Sequence, residues 1–183
     1  MYESVCIGGW IRIFVGLVFV DKLNKNMPLV YAALKNIFVN QAERFFTKEE
    51  QDLIVDAIKT AEKNTSGEVR VHLESICWGD AMVRSQKVFN KLGMRKTKEQ
   101  NGILIYIATE SHKIAVIGDA GIHKKLGKEY WDKIVQSMVS KFKEGHQAQG
   151  LADAIIDCGM QLKQYFPYAS DDKNELNDSI SFK

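Results

Sequence analysis

Asn101 and Asp119 bracket the stretch "NGILIYIATESHKIAVIGDAG", and each carries a side-chain oxygen suited to a hard cation. With a turn centred on Glu110 and Ser111, Ala108 faces Lys113 and Gly102 faces Asp119. Asn101 and Asp119 then meet at the open end of a hairpin. A helical crossover that makes the preceding strand parallel brings Ser66, Gly67 and Glu68 to the same edge. Glu68, Asn101 and Asp119 are therefore expected to surround one small pocket. Carboxylate and amide oxygens there, with glycines permitting close backbone approach, suit calcium or magnesium. A second reading needs no ligand, because Asn-Gly commonly makes a turn and Asp119 stands where it would cap the helix that follows.

The opposite end of the sheet, near Glu74, Trp78, Asp80 and His112, is where rules framed for larger parallel sheets would seat a ligand, and it is the weaker candidate. Other chemistries lack their residues. The chain has no G-x-x-x-x-G-K-[ST], no G-x-G-x-x-G after a strand, no G-x-S-x-G and no H-E-x-x-H. His72, His112, His123 and His146 show no paired zinc spacing and read as surface or packing residues. Cys6, Cys77 and Cys158 are odd in number and far apart, which fits small core thiols in a reducing compartment.

The elements that must hold these side chains are legible around them. Thr47 followed by Glu50 is a capping box, and Leu53, Ile54, Ala57, Ile58 and Ala61 recur at helical spacing, giving an amphipathic helix that ends near Asn64. "GEVRVHLE" alternates, with Val69, Val71 and Leu73 on one face and Glu68, Arg70, His72 and Glu74 on the other, as expected for a strand with one wet face. Asp80 caps a second helix through Val83, Val88, Phe89 and Leu92, stopped at Gly93. Ile103 to Ile107 read as a central strand covered on both faces, and Ile114 to Ile117 return antiparallel after the polar turn "TESH". A helix is expected from about His123 to Phe142 and another from Gln147 to Tyr165, ended by Pro167. Trp131, Tyr130 and Phe142 fit a buried helical stripe better than a base-stacking platform. Together these give an α/β fold, a three-layer α/β/α sandwich around a small mixed β-sheet.

A chain of 183 residues with 45% hydrophobic and 26% charged residues is ordinary for one globular domain with a sizeable core. Its formal net charge of +2 gives no global field that would argue for nucleic acid. Residues 1–44 read as an apolar N-terminal extension, 45–168 as the α/β domain and 169–183 as a polar acidic tail. The run from Val5 to Val20 is interrupted by Arg12 and falls short of the ~20 residues a spanning helix needs. It reads either as a weak or interfacial anchor or as a loosely attached extension. Met27 would serve as an alternative start for the latter. The expected location is cytoplasmic, with membrane association only under the anchor reading of this extension.

Five segments in order, "TSGEVRVHLE", "NGILIYIA", "AVIGDAGI", "FKEGHQAQGLADAI" and "FPYASDDKNELNDSISF", resemble the TPM-domain family, named after a thylakoid lumen protein, a photosystem repair protein and a receptor modulator. The resemblance covers roughly Phe45 to Phe182 and is closest to the compact bacterial branch. It implies an α/β/α sandwich that binds calcium or another divalent cation. It also implies either an interaction, assembly or repair module for membrane protein complexes or an acid-phosphatase-like hydrolase of phosphate monoesters. Asn101, Gly102, Gly118, Asp119 and Gly121 match the family's loop pattern, which strengthens the metal reading. Asp171, Asp172, Asn174 and Glu175 form an oxygen-rich run in the tail. That run either completes a coordination sphere or is simply solvated, and it lacks the loop of an EF-hand. The implied partners are a divalent metal and a membrane-associated protein.

Overall fold

Thr47 begins the first long helix as its sequence demands. Its Oγ1 accepts the Glu50 N–H at 3.3 Å, and the Glu50 carboxylate accepts the Thr47 N–H at 2.8 Å. The computed structural model describes residues 5–6, 41–168 and 179–183. Within them the elements run β1 (Val5–Cys6), α1 (Lys48–Glu62), β2 (Val69–Glu74), α2 (Ala81–Lys91), a 3₁₀ turn (Met94–Lys96), β3 (Ile103–Ala108), β4 (Lys113–Gly118), α3 (Ala120–Leu126), α4 (Lys128–Lys143), α5 (Gln147–Tyr165) and β5 (Ser181–Phe182). The expectations for the remaining N-terminal residues and for 169–178, Asp171, Asp172, Asn174 and Glu175 included, lie outside the described residues.

The sheet order is β1-β4-β3-β2-β5. β2 and β3 are parallel with Val69 opposite Ile103, and β3 and β4 are antiparallel with Ile103 opposite Gly118 and Ala108 opposite Lys113. The hairpin therefore has the expected register, which the four-residue turn between the two apolar strands sets. β1 adds antiparallel to β4, and β5 adds parallel to β2 with His72 opposite Ser181.

One face of the sheet, Val69, Val71, Leu73, Ile103, Ile105, Ile107, Ile114 and Val116, packs under α1, α4 and α5 in the main core. Ile103 and Ile105 are fully buried, so truncating either to alanine would cost about 2–5 kcal/mol. α1 and α5 approach closely because Gly159 meets Ala61, where a Cβ on the glycine would lie 2.5 Å from the alanine methyl. The other face packs Leu104, Tyr106, Ala108 and Ala115 against Met82, Val88 and Phe89 of α2 and against Met94. Helices thus cover both faces, as an α/β/α sandwich requires. Among the described residues no helix is long and apolar enough to cross a membrane.

Three sequence expectations are corrected by the structure. The polar side of β2 is not wet: Arg70, His72 and Glu74 are 8%, 6% and 3% exposed. They lie on the face that α2 covers, at an edge that β5 joins. Val83 is not a core residue but points outward from α2, more than half exposed. The helix expected from His123 to Phe142 is two helices, α3 and α4, broken at Gly127, whose φ of 72° and ψ of 177° no helix can contain.

Candidate functional site

At the end of the sheet away from the hairpin turn, the registers place Glu68, Gly102 and Asp119 in one row. The Glu68 carbonyl accepts the Ile103 N–H at 2.7 Å, and the Gly102 carbonyl accepts the Asp119 N–H at 2.8 Å. Two carboxylates therefore stand on either side of a residue with no side chain, their backbones separated by two strand spacings, about 10 Å. A Cβ at Gly102 would press on the Met94 carbonyl at 3.1 Å. Gly121 is held tighter, since a Cβ there would lie 2.3 Å from the Glu99 carbonyl oxygen. The glycines on both sides of this edge are fixed by backbone packed against backbone.

Asn101 is 1% exposed, Asp119 4% and Glu68 5%. The Asn101 N–H donates to Thr97 Oγ1 at 3.2 Å, and its Nδ2 donates to Ser66 Oγ at 3.1 Å. Ser66 in turn donates to the Glu99 carboxylate at 2.5 Å. The serine proton is thereby committed, which fixes Asn101 with its nitrogen toward Ser66 and its oxygen away. Asp119 does cap α3, but with one oxygen. Oδ1 accepts the Ala120 N–H at 2.9 Å and an Arg95 N–H at 3.1 Å. Asn101 Oδ1 and Asp119 Oδ2 are both buried and have no hydrogen-bond partner among the described residues.

The structure thus brings Glu68, Asn101 and Asp119 to the same sheet end. Of the three, only Asp119 lines the adjoining cavity of about 440 Å³. That cavity opens between α2 and α3, with Phe89 and Ile117 as apolar walls and Arg95, His123 and Lys124 as basic ones. Arg95 is positioned by three contacts: Asn90 Oδ1 accepts its Nε–H at 2.7 Å, the Phe89 ring lies beneath it at 5.5 Å, and Asp119 takes its Nη1. His123 Nδ1 accepts the Trp131 indole N–H at 3.0 Å, so the neutral ring carries its proton on Nε2. Among the described residues no group of three or more His, Cys, Asp or Glu side chains is placed to hold a metal ion.

The weaker candidates at the other end serve separate ends. Asp80 caps α2 through the Val83 N–H at 2.8 Å, Trp78 is two-thirds exposed, and His112 sits in the turn at φ 49°, against a small apolar cavity. Glu74 belongs to a buried polar row that alternation alone could not reveal. Its carboxylate takes a two-pronged pair from Arg84 at 2.7 and 2.5 Å and the phenol proton of Tyr106. Burial alone would raise its pKa, but the Arg84 and Tyr106 hydrogen bonds outweigh this and hold it below the usual carboxylate range. Next to it His72 stacks on Tyr106, and its Nδ1 shares a hydrogen bond with Ser181 Oγ at 2.7 Å. Burial, reinforced by Arg84 and Lys91, pushes the imidazole down to about 4 against the opposing pull of Glu74.

The family model described as the TPM domain matches residues 39–161. None of the curated proteins matches. Among solved structures, the NMR structure of the BA42 protein from the psychrophilic bacterium Bizionia argentinensis is 47% identical. It superposes with a TM-score of 0.69 over 75% of this chain and 94% of that one. The N-terminal domain of a protein from P. gingivalis is 17% identical, with a TM-score of 0.56 over 66% of this chain and 78% of that one, and shares the fold.

Proposed function

We propose, from the premise that this chain belongs to the TPM domain family, that it is a divalent-cation-binding interaction module whose cation orders the Glu68, Asn101 and Asp119 end of the sheet for docking on a membrane-associated protein. The observation that carries this reading is the pair of orphaned oxygens, Asn101 Oδ1 and Asp119 Oδ2. A buried polar atom left without a partner costs about 1–3 kcal/mol, a loss that an oxygen-seeking cation recovers. A donor set of carboxylate and amide oxygens suits calcium or magnesium rather than zinc. Asp119, Asn101 and Glu68 would hold it, with Asp171, Asp172 and Glu175 as further oxygen donors from the tail. Bound there, the cation supplies positive charge between two buried acids and stiffens the loops around Gly102 and Gly121.

Arg95 already neutralises Asp119 in part, yet its side chain is 63% exposed and can leave without opening the core. The test is a calcium titration of the full chain followed by amide NMR shifts and calorimetry. Saturable shifts centred on residues 68, 99–102 and 119–121, abolished in Asp119→Ala and weakened in Asn101→Ala, are expected. No shifts at millimolar calcium or magnesium, or an affinity unchanged in Asp119→Ala, would refute the site. A variant with Asp171→Asn, Asp172→Asn and Glu175→Gln reads the tail's share.

A second reading, a metal-dependent acid-phosphatase-like hydrolase, is favoured by the cavity beside Asp119. Arg95, His123 and Lys124 stand there as donors to the anionic oxygens of a phosphate monoester. Turnover of a chromogenic phosphate ester that needs added cation and disappears in Asp119→Ala would support it. Cation binding with no turnover leaves the interaction module.

A further inference from the structure

The outer face of α2 has no part in the cation site. From Ala81 to Lys98 the chain carries six basic residues, Arg84, Lys87, Lys91, Arg95, Lys96 and Lys98, and no acidic one. The other 19 of its 25 basic residues stand against all 23 acidic ones. A nearly neutral chain is therefore polarised, cationic along this segment and net anionic elsewhere. The two arginines are ion-paired, Arg84 to the buried Glu74 and the more exposed Arg95 to Asp119. Lys87, Lys91, Lys96 and Lys98 are exposed and make no ion pair among the described residues. Val83, Lys87 and Lys91 follow one another at four-residue spacing along the same exposed side of the helix.

At the N-terminal end of this stripe, on either side of the capping Asp80, two large apolar side chains are exposed. Val83 is 53% and Trp78 66% exposed. Trp78 is not on a loose loop: Lys113 Nζ donates to the carbonyls of Cys77 and Gly79 at 3.1 and 2.6 Å, and Ser111 Oγ accepts the Cys77 N–H at 2.9 Å. Gly79, at φ 79°, has nothing within 4 Å of where a Cβ would be. The indole is thus held out from a braced, protruding turn.

We infer that this face is a peripheral docking surface for anionic phospholipid, with the α2 lysines over the headgroup charge and Trp78 and Val83 entering the interfacial layer. Lysines act as mobile point charges suited to a diffuse anionic surface. The guanidinium forks that would read one phosphate or carboxylate in a defined geometry pair with Glu74 and Asp119, off the lysine stripe. The apolar end protrudes rather than forming a groove for a peptide, and a single aromatic offers no succession of platforms for bases.

The test is co-sedimentation of the full chain with vesicles of phosphatidylcholine alone or with about one-third phosphatidylserine, in EDTA so that the result is independent of any cation at Asp119. Binding is expected to require phosphatidylserine and to fall away in high salt. It should weaken about fivefold for each lysine neutralised, as in Lys87→Gln and Lys91→Gln, and severalfold in Trp78→Ala. A blue shift of tryptophan emission on the anionic vesicles should be lost in Trp78→Ala. These positions are exposed, so thermal unfolding of the variants should match the parent. Equal binding to both vesicle types, which would assign it to the Val5 to Val20 run, would overturn the inference. So would binding indifferent to the lysine substitutions, or retention of single-stranded DNA without retention of vesicles.

Discussion

Replacing His72 by glutamine should remove a defined part of the protein's acid sensitivity. The native imidazole titrates near 4, while the unfolded chain keeps the ordinary value of about 6.5. Because the folded value is depressed, the fold favours the neutral ring. The stabilisation is complete above pH 6.5 and is lost as pH falls from there toward 4, where the native ring also protonates. Linking the two values gives a loss of about 2 kcal/mol between pH 7 and pH 5. The depressed Glu74 carboxyl, whose contribution falls away only at still lower pH, leaves this window to the histidine. Urea unfolding of parent and His72→Gln at pH 7, 6 and 5 measures it. The stability difference between the two proteins should change by about 2 kcal/mol across the series. NMR titration of the His72 ring should show a midpoint near 4. Parallel pH profiles for the two proteins, or a native midpoint above 6, would refute the reasoning.

Two other perturbations test the frame around the site. Arg84→Met strands the Glu74 carboxylate, and with its partner gone a buried charge should cost about 3–5 kcal/mol, read as a fall in the urea midpoint. Gly127→Ala meets no steric obstacle, so its cost is backbone strain alone, about 1–3 kcal/mol by the same measurement.

Where local chemistry decided the outcome, the sequence was a sufficient guide. The Thr47 and Glu50 pair needs nothing beyond its own turn, and the hairpin from Ile103 to Gly118 has its register set by its turn and its two runs of apolar residues. The meeting of Glu68, Asn101 and Asp119 at one sheet end followed from that register plus the parallel crossover. The misses share a different cause. Alternation in "VRVHLE" distinguishes two faces of a strand but not what covers the second, and here α2 supplies Arg84 as counter-charge to Glu74. β5 is two residues long and has no periodicity to read, yet Ile180 beside it is buried. Gly127 looks like any glycine between Leu126 and Lys128 until the path of the chain demands a positive φ. The orphaned oxygens belong to the same class, since a residue type does not disclose which of its atoms will lack a partner.

β1 and β5 also give the sheet its quarantine. Among the described residues each is a two-residue strand laid along a six-residue one, so both borders of the parallel and antiparallel core are touched by the chain's own backbone through a short stub. A long, flat border would invite a second molecule to continue the ladder, whereas a short stub offers a newcomer little to register against. Fusions or truncations that strip either stub should therefore be judged by colloidal behaviour as well as by melting temperature, because the first symptom of a bared border is self-association between otherwise folded molecules.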